Sequence, residues 1–198
     1  MGAAVNKQDV LRLAEKDWKV SKRWYKRAAF NAIMEGSYRL IHGRTSDDVY
    51  LVRCWLTEFL PEKQDAVGGE LVSQNSRLLH FFPRGDDDFC LHDHPWDFET
   101  EILQGGYVEH LPPLAWFKTD CVLGPAWNER MEIRVKGDKV KHHATDLHCV
   151  GAVHPDTWTN VRTKARVRDW GFHPPGQIWQ PWKKYLESRV ALAAMEHA

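Results

Sequence analysis

The sequence predicts an all-β core, a sandwich or barrel, carried between helices at its two ends. Three observations point there. Short runs rich in β-branched and aromatic residues recur from about residue 48 onward. Turn residues separate them at close intervals: Pro83-Arg84-Gly85-Asp86, Gly105-Gly106, Pro112-Pro113, Gly137-Asp138 and Pro155-Asp156. The ends instead carry apolar residues at helical spacing.

The N-terminal stretch 7–40 reads as helix, broken once or twice. Asn6 is a candidate cap, with Asp9 three residues later near the positive end of the helix. Val10, Leu11, Leu13, Ala14 and Trp18 form one apolar series; Trp24, Ala28, Ile33 and Met34 form a second. Lys16, Lys19, Lys22, Arg23, Lys26 and Arg27 crowd the same stretch. A solvated helix face is the plainer reading of that run, and a basic surface for a phosphate-bearing or nucleic-acid partner the sharper one.

The first strand is expected at Val49–Leu56, followed by a loop over residues 61–70. Further strands are expected near 77–82, 89–94, 97–103, 106–110, 131–135, 146–151, 157–162 and 166–172. Helix returns from Pro181 to His197, with Leu186, Val190, Leu192 and Ala193 as its inward stripe.

Composition bounds the function. With 198 residues the chain can bury a core without staples. Lys plus Arg equals Asp plus Glu at 27 each, so no general basic footprint marks a nucleic-acid binder. Ten tryptophans imply a heavily aromatic interior or an aromatic-lined cavity. Cys54, Cys90, Cys121 and Cys149 are scattered without a C-x-x-C pair, the pattern of free thiols in a reduced, cytoplasmic protein. No signal peptide and no membrane span are legible. Neither a Walker loop, a G-x-S-x-G elbow nor a kinase motif set occurs.

The chemistry concentrates at Cys90-Leu91-His92-Asp93-His94-Pro95-Trp96-Asp97-Phe98-Glu99. On a strand, alternate side chains share a face, so His92 and His94 point together with Cys90, while Asp93 points away. Two imidazoles on one strand face supply adjacent corners of a metal site. Pro95 ends that ladder for want of an N–H, and a second strand carries Glu99 back past the site. Asp93 is expected behind the ligands, or holding the turn near Arg84.

His92-x-His94, Glu99 and Gly106 in that spacing resemble the first metal-binding motif of the cupin superfamily, with Gly85 near the place of its leading Gly. His148 resembles the later His of the second cupin motif, although Thr145 and Asp146 stand where a Pro and a Gly are usual. The resemblance covers roughly residues 48–175. It is closest to uncharacterised bacterial and phage cupin proteins, whose marks are Asp86-Asp87-Asp88, LHDHPWDF, Gly105-Gly106-Tyr107 with Glu109, and Asp169-Trp170-Gly171-Phe172 leading to Trp179, Pro181 and Trp182. A fainter likeness links it to thiol dioxygenases, but Cys90 has the wrong offset for their Cys–Tyr pair.

The resemblance implies a double-stranded β-helix, and with the helical patterns at the two ends the expected division is a helical extension over 1–47, the barrel over 48–178 and a C-terminal helix over 179–198 packed on the barrel. It implies one divalent metal, Fe(II) favoured, with Zn, Ni or Mn as alternatives. The implied ligands are His92, His94, Glu99 and His148. His142, His143 and His154 compete with His148, and Glu101 is the spare for Glu99. Without Glu99 the centre is a three-histidine site with open positions.

Arg53, Arg168 and Tyr107 are the candidate catalytic residues. An Arg inside a barrel must be paired, and a substrate carboxylate or phosphate is a natural partner. The reading is a metal-dependent enzyme, dioxygenase-like, acting on a small polar metabolite. The alternatives are a non-redox isomerase or lyase, with Glu99 or Tyr107 as base, and a non-catalytic metal- or ligand-binding module. The surplus of Trp leaves room for a homodimer interface.

Overall fold

The computed structural model describes residues 5–43, 48–56, 76–85, 90–113 and 130–188. The N-terminal helical segment begins where Asn6 and Asp9 form a reciprocal capping box, which starts α1 (Lys7–Leu13). A π-helical turn, Ala14–Trp18, continues it, and α2 (Trp24–Met34) follows.

Helix does not run on to residue 40. Gly36 adopts φ +76, and the Gly36 and Ser37 amides donate back to Ile33 and Ala32 carbonyls. This double closure is a Schellman stop, which a glycine adopts without a Cβ clash. The chain leaves it extended as β1 (Tyr38–His42), which pairs with β2 (Val49–Trp55).

The remaining strands are β3 (Arg77–Phe82), β4 (Leu91–His92), β5 (Phe98–Gln104), β6 (Gly106–Leu111), β7 (Arg130–Val135), β8 (Lys139–His142), β9 (Cys149–Val153), β10 (Thr157–Thr163), β11 (Gly171–His173) and β12 (Gln180–Pro181). A six-stranded sheet has the order β1-β2-β3-β10-β5-β8. Two three-stranded sheets have the orders β7-β6-β9 and β12-β11-β4. The β8 strand follows the Gly137-Asp138 turn and was not among the expected strands; its sequence, KVKH, carries too few apolar residues to stand out. The strand expected at 166–172 is only Gly171–His173.

Alternation gives the large sheet two unlike faces. Val52, Cys54, Leu79, Phe81 and Trp158 lie under Val10, Ala14, Trp18, Tyr25, Ala29, Ala32 and Ile33 of the helical segment. Trp18 is fully buried there, edge-on to Phe81 (5.1 Å) and Trp158 (4.8 Å). Burial of one such side chain contributes about 2–3 kcal/mol. The opposite face carries Arg53, Trp55, Leu78, His80, Thr159 and Val161, and Trp55, Leu78 and Val161 cluster with Trp96 and Phe98.

Residues 182–188 are helical at the C-terminal end. Trp182 stacks on Trp170 and Tyr185 on Phe172, with ring centroids at 5.7 and 4.1 Å. These two rings, not Leu186, make the inward face; Leu186 is 38% exposed. Val190, Leu192 and Ala193 lie outside the described residues, as do Asp86-Asp87-Asp88 and Cys121.

Candidate metal centre

The centre is assembled by one short strand and a bridge. His92 and His148 exchange both backbone hydrogen bonds, at 2.9 and 3.0 Å, which sets the two residues side by side. The chain runs on past β4, where the Asp93 amide donates to the Gly171 carbonyl at 3.0 Å and the His94 amide to the Ala144 carbonyl at 3.1 Å, and the His94 ring comes to the side of His92. The three imidazoles form a near-equilateral group: centroids are 5.1 Å apart for His92–His94, 5.2 Å for His92–His148 and 5.0 Å for His94–His148. One nitrogen of each lies within 4.8 Å of the others, and His94 Nε2 is 2.8 Å from His148 Nε2.

The other nitrogens are accounted for on two rings. His92 Nδ1 lies 3.4 Å from the Cys90 carbonyl and His148 Nδ1 lies 2.7 Å from Glu109 Oε1. Both acceptors call for the hydrogen on Nδ1, which leaves Nε2 with a lone pair. Burial pushes the His92 pKa down to about 3, reinforced by the neighbouring His148. Burial likewise holds His94 well below its ordinary value and lowers His148, against the opposing pull of Glu109. Three neutral imidazoles converging on one point are the donor set that a divalent transition metal takes, so these residues fit the implied ion.

Aromatic rings wall the group. Phe98 packs edge-on to His94 at 4.6 Å and stacks on His142 at 4.9 Å. Phe172 lies 5.5 Å and Trp170 6.4 Å from His92.

Glu99 does not join the histidines. Strand β5 buries Phe98, Thr100 and Ile102 and turns Glu99 and Glu101 the other way, where Glu99 faces Lys141 at 3.5 Å and Glu101 faces Lys139 at 3.9 Å. The acid at the cluster is Glu109 of β6, fully buried. It accepts from His148 Nδ1, from His142 Nε2 at 3.0 Å and from Arg134 Nε at 2.7 Å. Burial alone would push its pKa up; the His142 and His148 hydrogen bonds outweigh that and hold it far below the ordinary carboxylate range. Sequence reasoning weighed His142 only as a competitor of His148 for the ion, and Glu109 only as a mark of the resemblance, not as a partner of the histidines. The signal for Glu109 was present: Tyr107, Glu109 and Leu111 form the buried stripe of β6, and an acid in such a stripe needs partners. His143 and His154 lie at the surface.

The candidate catalytic residues separate. Arg53 of β2 donates Nε–H to His80 Nε2 at 3.1 Å, on the face of the large sheet that the helices leave uncovered. Tyr107 is buried on the same strand face as Glu109, 6.1 Å from the Phe82 ring, and burial raises its hydroxyl pKa. Arg168 is not at the centre: it pairs with Asp93, on the side of β4 away from the imidazoles, and donates to the Ala144 carbonyl. Residue 168 precedes β11, so strand alternation does not direct it inward. Asp93 also accepts from the Gly171 amide at 2.7 Å and Trp179 Nε1 at 3.1 Å. It fastens segment 168–179, and Arg84 pairs with Asp48 instead.

No protein-family profile and no curated protein sequence matches this chain. Solved structures do match. The DMSP lyase DddQ from Ruegeria pomeroyi aligns with a TM-score of 0.50 at 18% identity, covering 78% of this chain and 71% of that one. FeII HppE gives 0.42 at 9% identity over 65% of this chain; the chain spans 57% of its length. An RmlC-like cupin from Shewanella frigidimarina gives 0.37 at 13% identity, covering 59% of this chain and 78% of that one. Two small sheets lie beside the large one, with His92 of β4 bridged to His148 just ahead of β9, and Glu99, the acid at the motif position, is turned away from them. The chain shares its fold, a jelly roll of the cupin type, with the DddQ structure.

Proposed function

We propose that this chain is a metal-dependent cupin enzyme in which His92, His94 and His148 hold one divalent ion, Fe(II) by preference, and that a small anionic metabolite is its substrate. The observation that carries the reading is the convergence of three neutral imidazole nitrogens with no carboxylate among the described residues turned into the same point. When bound, the ion supplies positions open to substrate and dioxygen together with one-electron chemistry.

The chain's own residues do the rest. Phe98, Phe172 and Trp170 keep bulk water from the imidazoles and lower the local dielectric, which strengthens each polar contact inside. Arg53 is the proposed anchor for the anionic group: its Nε is fixed on His80, so the guanidinium is held in one orientation. Tyr107 keeps its proton because of burial, which suits it to donate a hydrogen bond rather than to act as a base.

The test is elemental mass spectrometry of the untagged protein beside a His92→Ala/His94→Ala variant. The expected result is near one iron per chain in the wild type and none in the variant, followed by oxygen uptake with small carboxylic acids or thiols. Stoichiometric zinc, nickel or manganese without oxygen uptake would move the activity to non-redox isomerase or lyase chemistry. A folded wild type that takes up no metal on reconstitution would overturn the reading. Arg53→Met should then raise KM for an anionic substrate about 100-fold, the scale of a lost charge-assisted hydrogen bond of about 3 kcal/mol, with little change in metal content.

A further inference from the structure

The carboxylate of Glu109 has a saturated set of donors. Its Oε1 accepts from both His148 Nδ1 (2.7 Å) and His142 Nε2 (3.0 Å), while its Oε2 accepts from Arg134 (2.7 Å). These donors come from β7, β8 and the residue just before β9, so three chain segments converge on one buried acid. Glu109, His142 and His148 also lie close enough together to hold a second cation. The Arg134 guanidinium on the same carboxylate opposes that use by like charge, and two N–H groups already point at Oε1.

The arrangement has a clearer use. A neutral imidazole carries one hydrogen, and the group that accepts it decides which nitrogen keeps a lone pair. Glu109 takes the hydrogen of His148 at Nδ1, and His148 Nε2 is the atom that faces His94 Nε2 at 2.8 Å. The carboxylate is itself held still. His142 stacks on Phe98 at 4.9 Å, and Phe98 packs on His94 at 4.6 Å, so the ring that fixes Glu109 is braced by the ring that fixes a second ligand.

We propose that Glu109 is a positioning residue of the metal centre, setting the tautomer and ring plane of His148, and that His142 and Arg134 lock the carboxylate that does so. This rests on the reading of His92, His94 and His148 as the metal ligands, and extends it to the group behind them. In this chain the acid of the cupin-like site acts from behind a histidine, while Glu99, the acid at the motif position, faces Lys141.

Cobalt(II) alone is the probe. Its dissociation constant, from chelator competition, and its visible d–d spectrum are compared in the metal-free wild type, Glu109→Gln and His142→Phe. Glu109→Gln should weaken cobalt binding about 10- to 100-fold and shift the spectrum, as loss of a group orienting a ligand does. His142→Phe keeps the stack on Phe98 and removes one donor to Oε1; it should weaken binding by less, about 3- to 10-fold, and supplies the test if Glu109→Gln does not fold. Variants that lower the unfolding midpoint of the metal-free protein yet leave the cobalt constant and spectrum as in wild type would give Glu109 a packing role only and overturn the proposal. A wild type that binds no cobalt would fail earlier, at the ligands, and would be told apart from the first failure by that.

Discussion

Asp93 and Glu109 are both acids withdrawn from solvent, at 3% and 0% exposure, and each is met by a guanidinium and two further N–H donors. Their surroundings still push them in opposite directions. Burial is the larger influence on Asp93 and raises its pKa, although Gly171, Arg168 and Trp179 all favour its charge. At Glu109 the hydrogen bonds of His142 and His148 overcome burial and hold the carboxyl down. Asp93 takes its partners from one stretch of chain, 168–179, and so closes a loop onto β4. Glu109 takes its partners from separate strands and so ties the sheet to a histidine of the cluster. One acid fastens the fold, and the other, on the proposal above, orients a ligand.

The largest effect that separates them is on stability. Asp93→Ala leaves Arg168 without its carboxylate and strands the Gly171 amide. The expected loss is about 3 kcal/mol, the low end for breaking a buried pair because Arg168 keeps some contact with water. Urea denaturation measures it. In the protein that remains folded, cobalt affinity should change less than in Glu109→Gln. An Asp93→Ala variant that unfolds normally but loses metal would break the division of labour.

Acid separates the two by sign. A carboxyl with a depressed folded pKa contributes stability above its ordinary range, and that stability is lost as pH falls through the range; Glu109 is such a group. A carboxyl with a raised folded pKa does the reverse, and the folded state gains relative to the unfolded as Asp93 takes up its proton. Unfolding free energies of the metal-free protein between pH 6 and pH 3 should therefore fall less steeply in Glu109→Gln than in wild type, and more steeply in Asp93→Asn. The histidines give the same sign as Glu109. His92, at about 3 when folded, stays neutral where the unfolded chain protonates, so stability falls as pH drops below its ordinary 6.5. Equal slopes in the two variants would remove the electrostatic half of the contrast.

The same pair shows what was legible in the sequence. Period-two alternation was enough to place His92 and His94 together and Asp93 apart from them, although the strand expected at 89–94 is only Leu91–His92. It could not be carried from β4 to β5, because the turn at Pro95–Asp97 resets which parity faces inward. Motif spacing selected Glu99, but Phe98 took the inward parity, and Lys141, on a strand that had not been expected, met Glu99 outside. Arg168 was read into a strand that begins only at Gly171. The helix stop at Gly36 was visible as a glycine but depended on where the Ala32 and Ile33 carbonyls would point. Local pattern was enough for most of the strands and for setting His92 beside His94; long-range register decided which acid and which arginine came near them.

The smallest effect gives the sharpest pairing. Trp179→Phe removes one neutral N–H from Asp93 and keeps an aromatic face near the Arg168 guanidinium, 6.0 Å from the present ring. His142→Phe likewise removes one N–H from Glu109 and keeps a ring against Phe98. Each deletion leaves the carboxylate with two other partners, so each should cost about 1 kcal/mol of stability by the loss of one hydrogen bond. Thermal unfolding of the two metal-free variants should then give similar shifts, while chelator competition distinguishes them. Cobalt affinity should hold within about twofold in Trp179→Phe and fall in His142→Phe, because only the second deletion loosens a group that aims a ligand. Equal losses of cobalt affinity in both would mean that the two acids support the centre alike, and that the partition between fastening the chain and orienting His148 is not real.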